Sequence, residues 1–164
     1  MLLDESPHVT SRVRLKLYGN AGKKDKKTVQ EFRYRSVVEF FGKIRREDAL
    51  DAMKKGTVLL LIQNTDGVSS ETIPSKVYEY LLTERPILAL LFRNPELQLL
   101  LEGMGHIVVQ GDDEIAIKKG LETYVGKWER NQLQSTITKS PYTVQKAVGE
   151  LVTLVEGIKD AEGR

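Results

Sequence analysis

Residues 57–92 read TVLLLIQNTDGVSSETIPSKVYEYLLTERPILALLF. Two continuously apolar runs, TVLLLIQ (57–63) and PILALLF (86–92), bracket a polar loop and a short amphipathic stretch. Short, uninterrupted apolar runs of this kind suit strands covered on both faces. Pro86 is tolerated as the first residue of a strand. Pro74 suits a first helical turn, which predicts a helix over Pro74 to Thr83. Strand, helix and strand in that order make a parallel pair joined by a right-handed crossover. The stretch makes this an α/β chain.

The pattern continues on both sides. RVRLKLYG (12–19), SVVEFFG (36–42) and HIVVQG (106–111) read as three further strands. Helices are predicted over Arg46 to Lys54, over Pro95 to Glu102 with Gly103 as its stop, over Asp112 to Trp128, and over Tyr142 to Ile158. Asp112, Asp113 and Glu114 stand where acids favour a positive helix end. A weak helix is expected around Thr28 to Tyr34, and NQLQSTITKS (131–140) is the only polar connector of note. Alternating strands and helices predict one domain over 1–164, a doubly wound parallel sheet of about five strands.

Composition narrows the function. Twenty-five Lys and Arg against 23 Asp and Glu leave a net charge of +2, too small to argue for nucleic acid. The absence of cysteine removes disulfides, thiolate nucleophiles and cysteine-ligated zinc. His8 and His106 lie far apart, so a histidine metal cluster is not expected. No apolar run approaches ~18 residues and no signal-peptide pattern opens the chain, so no transmembrane segment and a cytoplasmic location are expected.

In an open parallel sheet, ligands bind beyond the carboxyl ends of the strands. The longest loop at that end, after TVLLLIQ, carries Glu71. With Pro74 in the first turn, Glu71 lies before the helix and Glu79 projects from its second turn. The two carboxylates then flank the helix start, where free N–H groups favour phosphate and Lys76 adds a cation. Phosphate at the helix end, with carboxylates accepting from sugar hydroxyls, is the layout a nucleotide-sugar needs. In the blander alternative, Glu71 caps the helix and Glu79 is a surface acid.

Other motifs carry less. GNAGKK (19–24) has only two residues between its glycines and no Ser or Thr after the lysine, so it is not a Walker loop. KKDKK (23–27) reads as a solvated loop. GMG (103–105) reads as a helix stop, and His106 as structural.

ETIPSKVYEYLLTERPILAL, with RLKLYGN, VEFFGKI and DAMKKGTVLLLIQ in the same order before it, resembles the donor-binding domain of family-four GT-B glycosyltransferases. The resemblance covers about residues 10–125, and its core is the E-x(7)-E spacing of Glu71 and Glu79. It implies a Rossmann-like half of a retaining transferase that uses a nucleotide-sugar, UDP- or GDP-linked, without a metal or other cofactor. On this resemblance Glu71 is the catalytic glutamate against the donor sugar and Glu79 holds the ribose. Backbone N–H groups near Thr72 and Ile73 approach the sugar and diphosphate, with Lys76 in support, and Gly42, Lys43 and Ile44 border the base.

The sequence departs from the family in a minor way, with Thr83-Glu84-Arg85 in place of the usual small residue and Gly before Pro86, and in two larger ones. Pro74 cannot donate an N–H. No strand ending in Gly and followed by a phosphate-gripping Arg and Lys precedes Arg12, and no acceptor-binding N-terminal domain is present. The expectation is half of a two-domain enzyme for cell-surface polysaccharide or glycolipid, inactive alone, with the missing half as partner and peripheral to the inner membrane face when whole. Without that first strand, the remaining five are expected to close in the order 2-1-3-4-5, or to take a strand from a second copy. The alternatives are a GT-B-like sugar-nucleotide epimerase and a non-enzymatic flavodoxin-like regulatory domain. The latter is disfavoured because Tyr18-Gly19-Asn20 offers no paired acids.

Overall fold

The structure is a computed structural model and describes residues 2–5, 7–133 and 137–162. Among the described residues five strands form, all in parallel pairs: β1 (Leu15–Tyr18), β2 (Val38–Gly42), β3 (Leu59–Ile62), β4 (Ile87–Leu91) and β5 (Ile107–Gln110). They make two ladders, β1-β2 and β3-β4-β5. The larger ladder is in simple register, with Leu59 opposite Ile87 and Leu88 opposite Ile107. The class is α/β with helices on both sheet faces, a Rossmann-like half.

Closure of the five strands into one sheet is not made: among the described residues β1 is not hydrogen-bonded to β3. The side chains are in keeping with a less enclosed β1. A strand enclosed between two neighbours and two helical layers is apolar at every position. β1 instead alternates half-buried Leu15 and Leu17 with exposed Lys16 and Tyr18. β3 has a similar one-sidedness: Leu59 and Leu61 are buried, but Ile62 is 55% exposed, so the strand is not covered on both faces as its sequence predicts. The central strand of the ladder is β4, and Ile87, Leu88, Ala89 and Leu91 are all buried.

Helices α1 (Leu2–Glu5) and α2 (Pro7–Thr10), which the sequence pattern does not signal, begin the chain. Val9 is buried, and Arg12 lies over the Trp128 ring at 5.7 Å. Helix α3 (Lys23–Glu31) contains the KKDKK run, which is therefore a solvated helical segment and not a loop. Gly22 caps it and its N–H donates to Asp25 Oδ2 at 2.8 Å, so GNAGKK is a helix start. A 3-10 turn, Arg35–Val37, leads into β2.

Helix α4 (Arg46–Lys55) crosses to β3, and a single turn, α5 (Gly67–Ser70), follows that strand. Helices α6 (Lys76–Leu81) and α7 (Pro95–Gly103) then complete one face of the larger ladder. Val77, Leu81, Leu97 and Leu101 pack there with Leu59, Leu61, Ile87, Ala89 and Leu91 in one apolar core. The opposite face belongs to α8 (Glu114–Glu129), N-capped by Asp113 accepting from Ala116 N at 2.9 Å. Gly120 brings α8 close: a Cβ there would lie 3.1 Å from Leu88 Cδ1. The Tyr124 hydroxyl donates to the Ile87 carbonyl at 2.9 Å and accepts from Ile107 N at 3.1 Å, which ties α8 to both strands.

Helix α7 runs one residue past its predicted end at Glu102 and takes in Gly103. Met104 is its C-cap, and Gly105, not Gly103, takes the left-handed backbone (φ 85°) that ends the helix. Connector residues 134–136 lie outside the described residues; Thr138 N donates to the Met104 carbonyl at 3.1 Å. Helix α9 (Val144–Glu162) ends the chain with Val144, Leu151, Leu154 and Ile158 exposed. Among the described residues no helix is long and apolar enough to cross a membrane.

Candidate functional site

Within each ladder the parallel strands point their carboxyl ends one way, and the loops leaving β2 and β3, with the start of α6, carry the predicted residues. Gly42, the last residue of β2, adopts φ 68°, a left-handed turn that suits glycine. Its carbonyl accepts from Gly19 N at 2.7 Å, so the ends of β1 and β2 are joined. Lys43 is exposed and Ile44 half-buried in the loop that follows. Arg45 then turns back onto its own helix, donating to both oxygens of Asp48 at 2.9 and 3.2 Å.

Glu71 lies on an exposed turn just after α5, its N–H donating to the Val68 carbonyl at 3.2 Å. It makes no cap on α6, so the capping alternative does not hold. Thr72 is exposed, and its hydroxyl donates to the Val68 carbonyl at 2.7 Å. Ile73 is half-buried and packs on the apolar core, which leaves main-chain groups as what it can offer a ligand.

Helix α6 differs from expectation. It begins at Lys76, two residues beyond Pro74, and runs for six residues. Six residues align few peptide dipoles, so this helix is not a phosphate site by itself. Lys76 is its exposed first residue, and Glu79 sits in its first turn, not its second.

Glu79 is 30% exposed at the side chain and is paired with the Arg46 guanidinium across 33 residues of sequence. This contact joins the loop after β2 to α6. It brings Gly42, Lys43 and Ile44 to the same end of the molecule as Glu79.

The Glu71–Thr72 turn is fastened from below. Two buried amides, Gln63 at the end of β3 and Asn94 after β4, donate to the Thr72 carbonyl at 3.2 and 3.1 Å. Gln63 Oε1 also accepts from Phe92 N at 3.2 Å, and Asn94 Oδ1 accepts from Leu97 N at 3.0 Å, capping α7. The β3, β4 and α7 ends thus hold one carbonyl and set where the preceding glutamate stands.

Asn94→Ala should lower stability by about 1–3 kcal/mol, because it removes the α7 cap and half of the Thr72 bracket. Urea unfolding measures this. A change under about 0.3 kcal/mol would show that the bracket adds nothing to stability.

Arg46, Gln63 and Asn94 escape the sequence reading. For Asn94 a signal exists, since Asn-Pro-Glu at the start of an apolar periodic run is a helix-start pattern. The partners of Arg46 and Gln63 lie in other elements, and no local pattern names them.

By sequence, no family model matches the chain and no curated protein is significantly similar to it. By structure it is similar to Anabaena Alr3699/HepE in complex with UDP, with a TM-score of 0.56 at 15% identity. It is similar also to Anabaena Alr3699/HepE in complex with UDP-glucose, with a TM-score of 0.58 at 15% identity. The likeness shows the fold. It is that of a Rossmann-like α/β domain. In both comparisons 99% of this chain is covered but only 44% of the HepE chain, so the chain spans less than half of the length of those structures.

Proposed function

We propose that the chain is the donor-binding half of a retaining GT-B-like glycosyltransferase of the family-four kind. Its ligand is a nucleotide-sugar, UDP- or GDP-linked, held without a metal, and its product is a cell-surface polysaccharide or glycolipid. Glu71 stands against the donor sugar, and Glu79 accepts from the ribose hydroxyls. Thr72 and Ile73 offer main-chain groups to the sugar and diphosphate, with Lys76 adding charge, and Gly42, Lys43 and Ile44 border the base. The acceptor belongs to a second domain, which makes the cytoplasmic face of a membrane the natural place of work.

One observation carries this reading. The half-buried carboxylate of Glu79 is paired with Arg46 at the start of α4, and eight residues before it in the chain the Glu71 turn is fastened by Gln63 and Asn94. Carboxylates held at the carboxyl ends of parallel strands are placed for a nucleotide. The HepE structures of similar fold were obtained with UDP and with UDP-glucose, which supports the choice of ligand class.

Calorimetric titration of this chain with UDP, GDP, UDP-glucose and a GDP-sugar tests the proposal. Saturable binding of one nucleotide and its sugar conjugate is expected. No heat from any of the four at millimolar concentration would refute it.

A further inference from the structure

Two arginines open α4, and they are used differently. Arg45 is committed to Asp48 by two hydrogen bonds within its own helix. Arg46 reaches across to α6, and its partner of opposite charge among the described residues is Glu79. The E-x(7)-E spacing gives no role to this position, and no local sequence pattern accounts for the pair.

The two ends of the pair are unlike. The Arg46 side chain is 76% exposed, whereas Glu79 is 30% exposed. An ion pair with so exposed a member contributes little to folding, about 0–1 kcal/mol, and is easily broken. The guanidinium is therefore a weakly held cation standing directly on the carboxylate that the proposed function assigns to ribose.

The guanidinium occupies Oε1 of Glu79, so a nucleoside whose two ribose hydroxyls bond to both oxygens of that carboxylate must displace Arg46. A nucleoside diphosphate brings its own replacement. Its phosphates lie one sugar away from the hydroxyls, and a guanidinium matches phosphate oxygens in a planar, two-pronged fashion.

We infer that Arg46 is an exchanging specificity residue: it leaves Glu79 for the diphosphate as ribose takes the carboxylate. The site then favours nucleoside diphosphates and their sugars over bare nucleosides. This inference rests on the nucleotide reading of the Glu79 site and adds Arg46 to it.

Arg46→Gln separates this from a structural role, because the two ligand types should respond in opposite directions. Uridine binding should be about twofold to fivefold tighter, since a competing ion pair is gone. UDP binding should be about tenfold weaker, since a charge-assisted contact to phosphate is lost. Arg46→Lys should restore part of the UDP affinity, and raising salt should weaken UDP binding less in Arg46→Gln than in the wild type. The same pair of titrations with guanosine and GDP applies if the chain prefers that base.

Loss of uridine and UDP affinity by the same factor would mean that Arg46 only holds Glu79 in place, and would overturn the exchange. Unchanged UDP affinity in Arg46→Gln would overturn it as well. A wild-type chain that binds neither UDP nor GDP removes the nucleotide reading itself, and the exchange with it. A urea midpoint for Arg46→Gln close to the wild type is expected, so the binding changes are not those of a misfolded chain.

Discussion

Glu79→Gln should lower the affinity for the free nucleotide and for its sugar conjugate alike, by about tenfold to a hundredfold. Ribose belongs to both ligands, and a hydrogen bond to a charged group contributes roughly 1.5–3 kcal/mol. Glutamine keeps the shape but accepts at one oxygen only and carries no charge. Glu71→Gln should behave otherwise. Its carboxylate stands against the sugar, so the conjugate should weaken by a similar factor while UDP or GDP changes little. Titration of both variants with UDP, GDP and their sugars reads the difference. Equal losses for every ligand from both variants would refute the division of labour between the two glutamates. The fold should survive both changes, because Glu71 is exposed and Glu79 shares only a surface pair with Arg46.

The second large effect lies far from the ligand end. His106 precedes β5, is 6% exposed, and among the described residues neither ring nitrogen finds a hydrogen-bond partner. Burial disfavours the charged imidazolium and lowers its pKa from the ordinary 6.5 to about 4. The sign follows from proton counting. Between pH 6.5 and about 4 the unfolded chain takes up a proton that the folded chain refuses. This group's contribution is therefore whole above pH 6.5, falls with pH through that window, and changes no further below about 4. At 1.36 kcal/mol per unit, the loss over the window is about 3 kcal/mol.

His106→Leu removes both polar atoms and keeps much of the volume. Urea midpoints of wild type and His106→Leu, measured at several values between pH 7.5 and 4, should diverge as pH falls, with the variant losing less. Parallel curves would show that His106 is not buried neutral. At pH 7.5 the variant should be at least as stable as the wild type, since an unpaired buried polar group costs about 1–3 kcal/mol.

Much of the architecture was legible because it depends on periodicity. TVLLLIQ and PILALLF became β3 and β4, and the alternation of apolar runs with helical stretches required parallel pairs and a doubly wound arrangement. The order of the whole sheet was not legible by adding up strands. Yet the cue stood in RVRLKLY itself, where Arg12, Arg14 and Lys16 alternate with apolar residues. That pattern belongs to a strand with one face in water, and among the described residues β1 pairs with β2 and no other strand.

Helix ends were less legible. Pro74 is compatible with a first turn but does not compel one, and α6 begins two residues later. KKDKK has the composition of a solvated loop. It is helical because Gly22 and Asp25 close a cap around the helix start, an interaction whose outcome composition does not report.

By itself the sequence determined the α/β class, the loops that stand at the carboxyl ends of the strands, and the Glu71–Glu79 spacing that makes those loops a candidate nucleotide site. These are properties of neighbours in the chain, governed by local periodicity and turn chemistry. Only the tertiary structure decided that Gln63 and Asn94 share one carbonyl of the Glu71 turn, and that Arg46 sits on Glu79. It also decided that, among the described residues, His106 is buried with no hydrogen-bond partner and β1 is not bonded to β3. Each of these joins groups 9 to 33 residues apart, or depends on the burial of a whole side chain. Pairings at that range follow from how the layers stack, which no window of sequence contains.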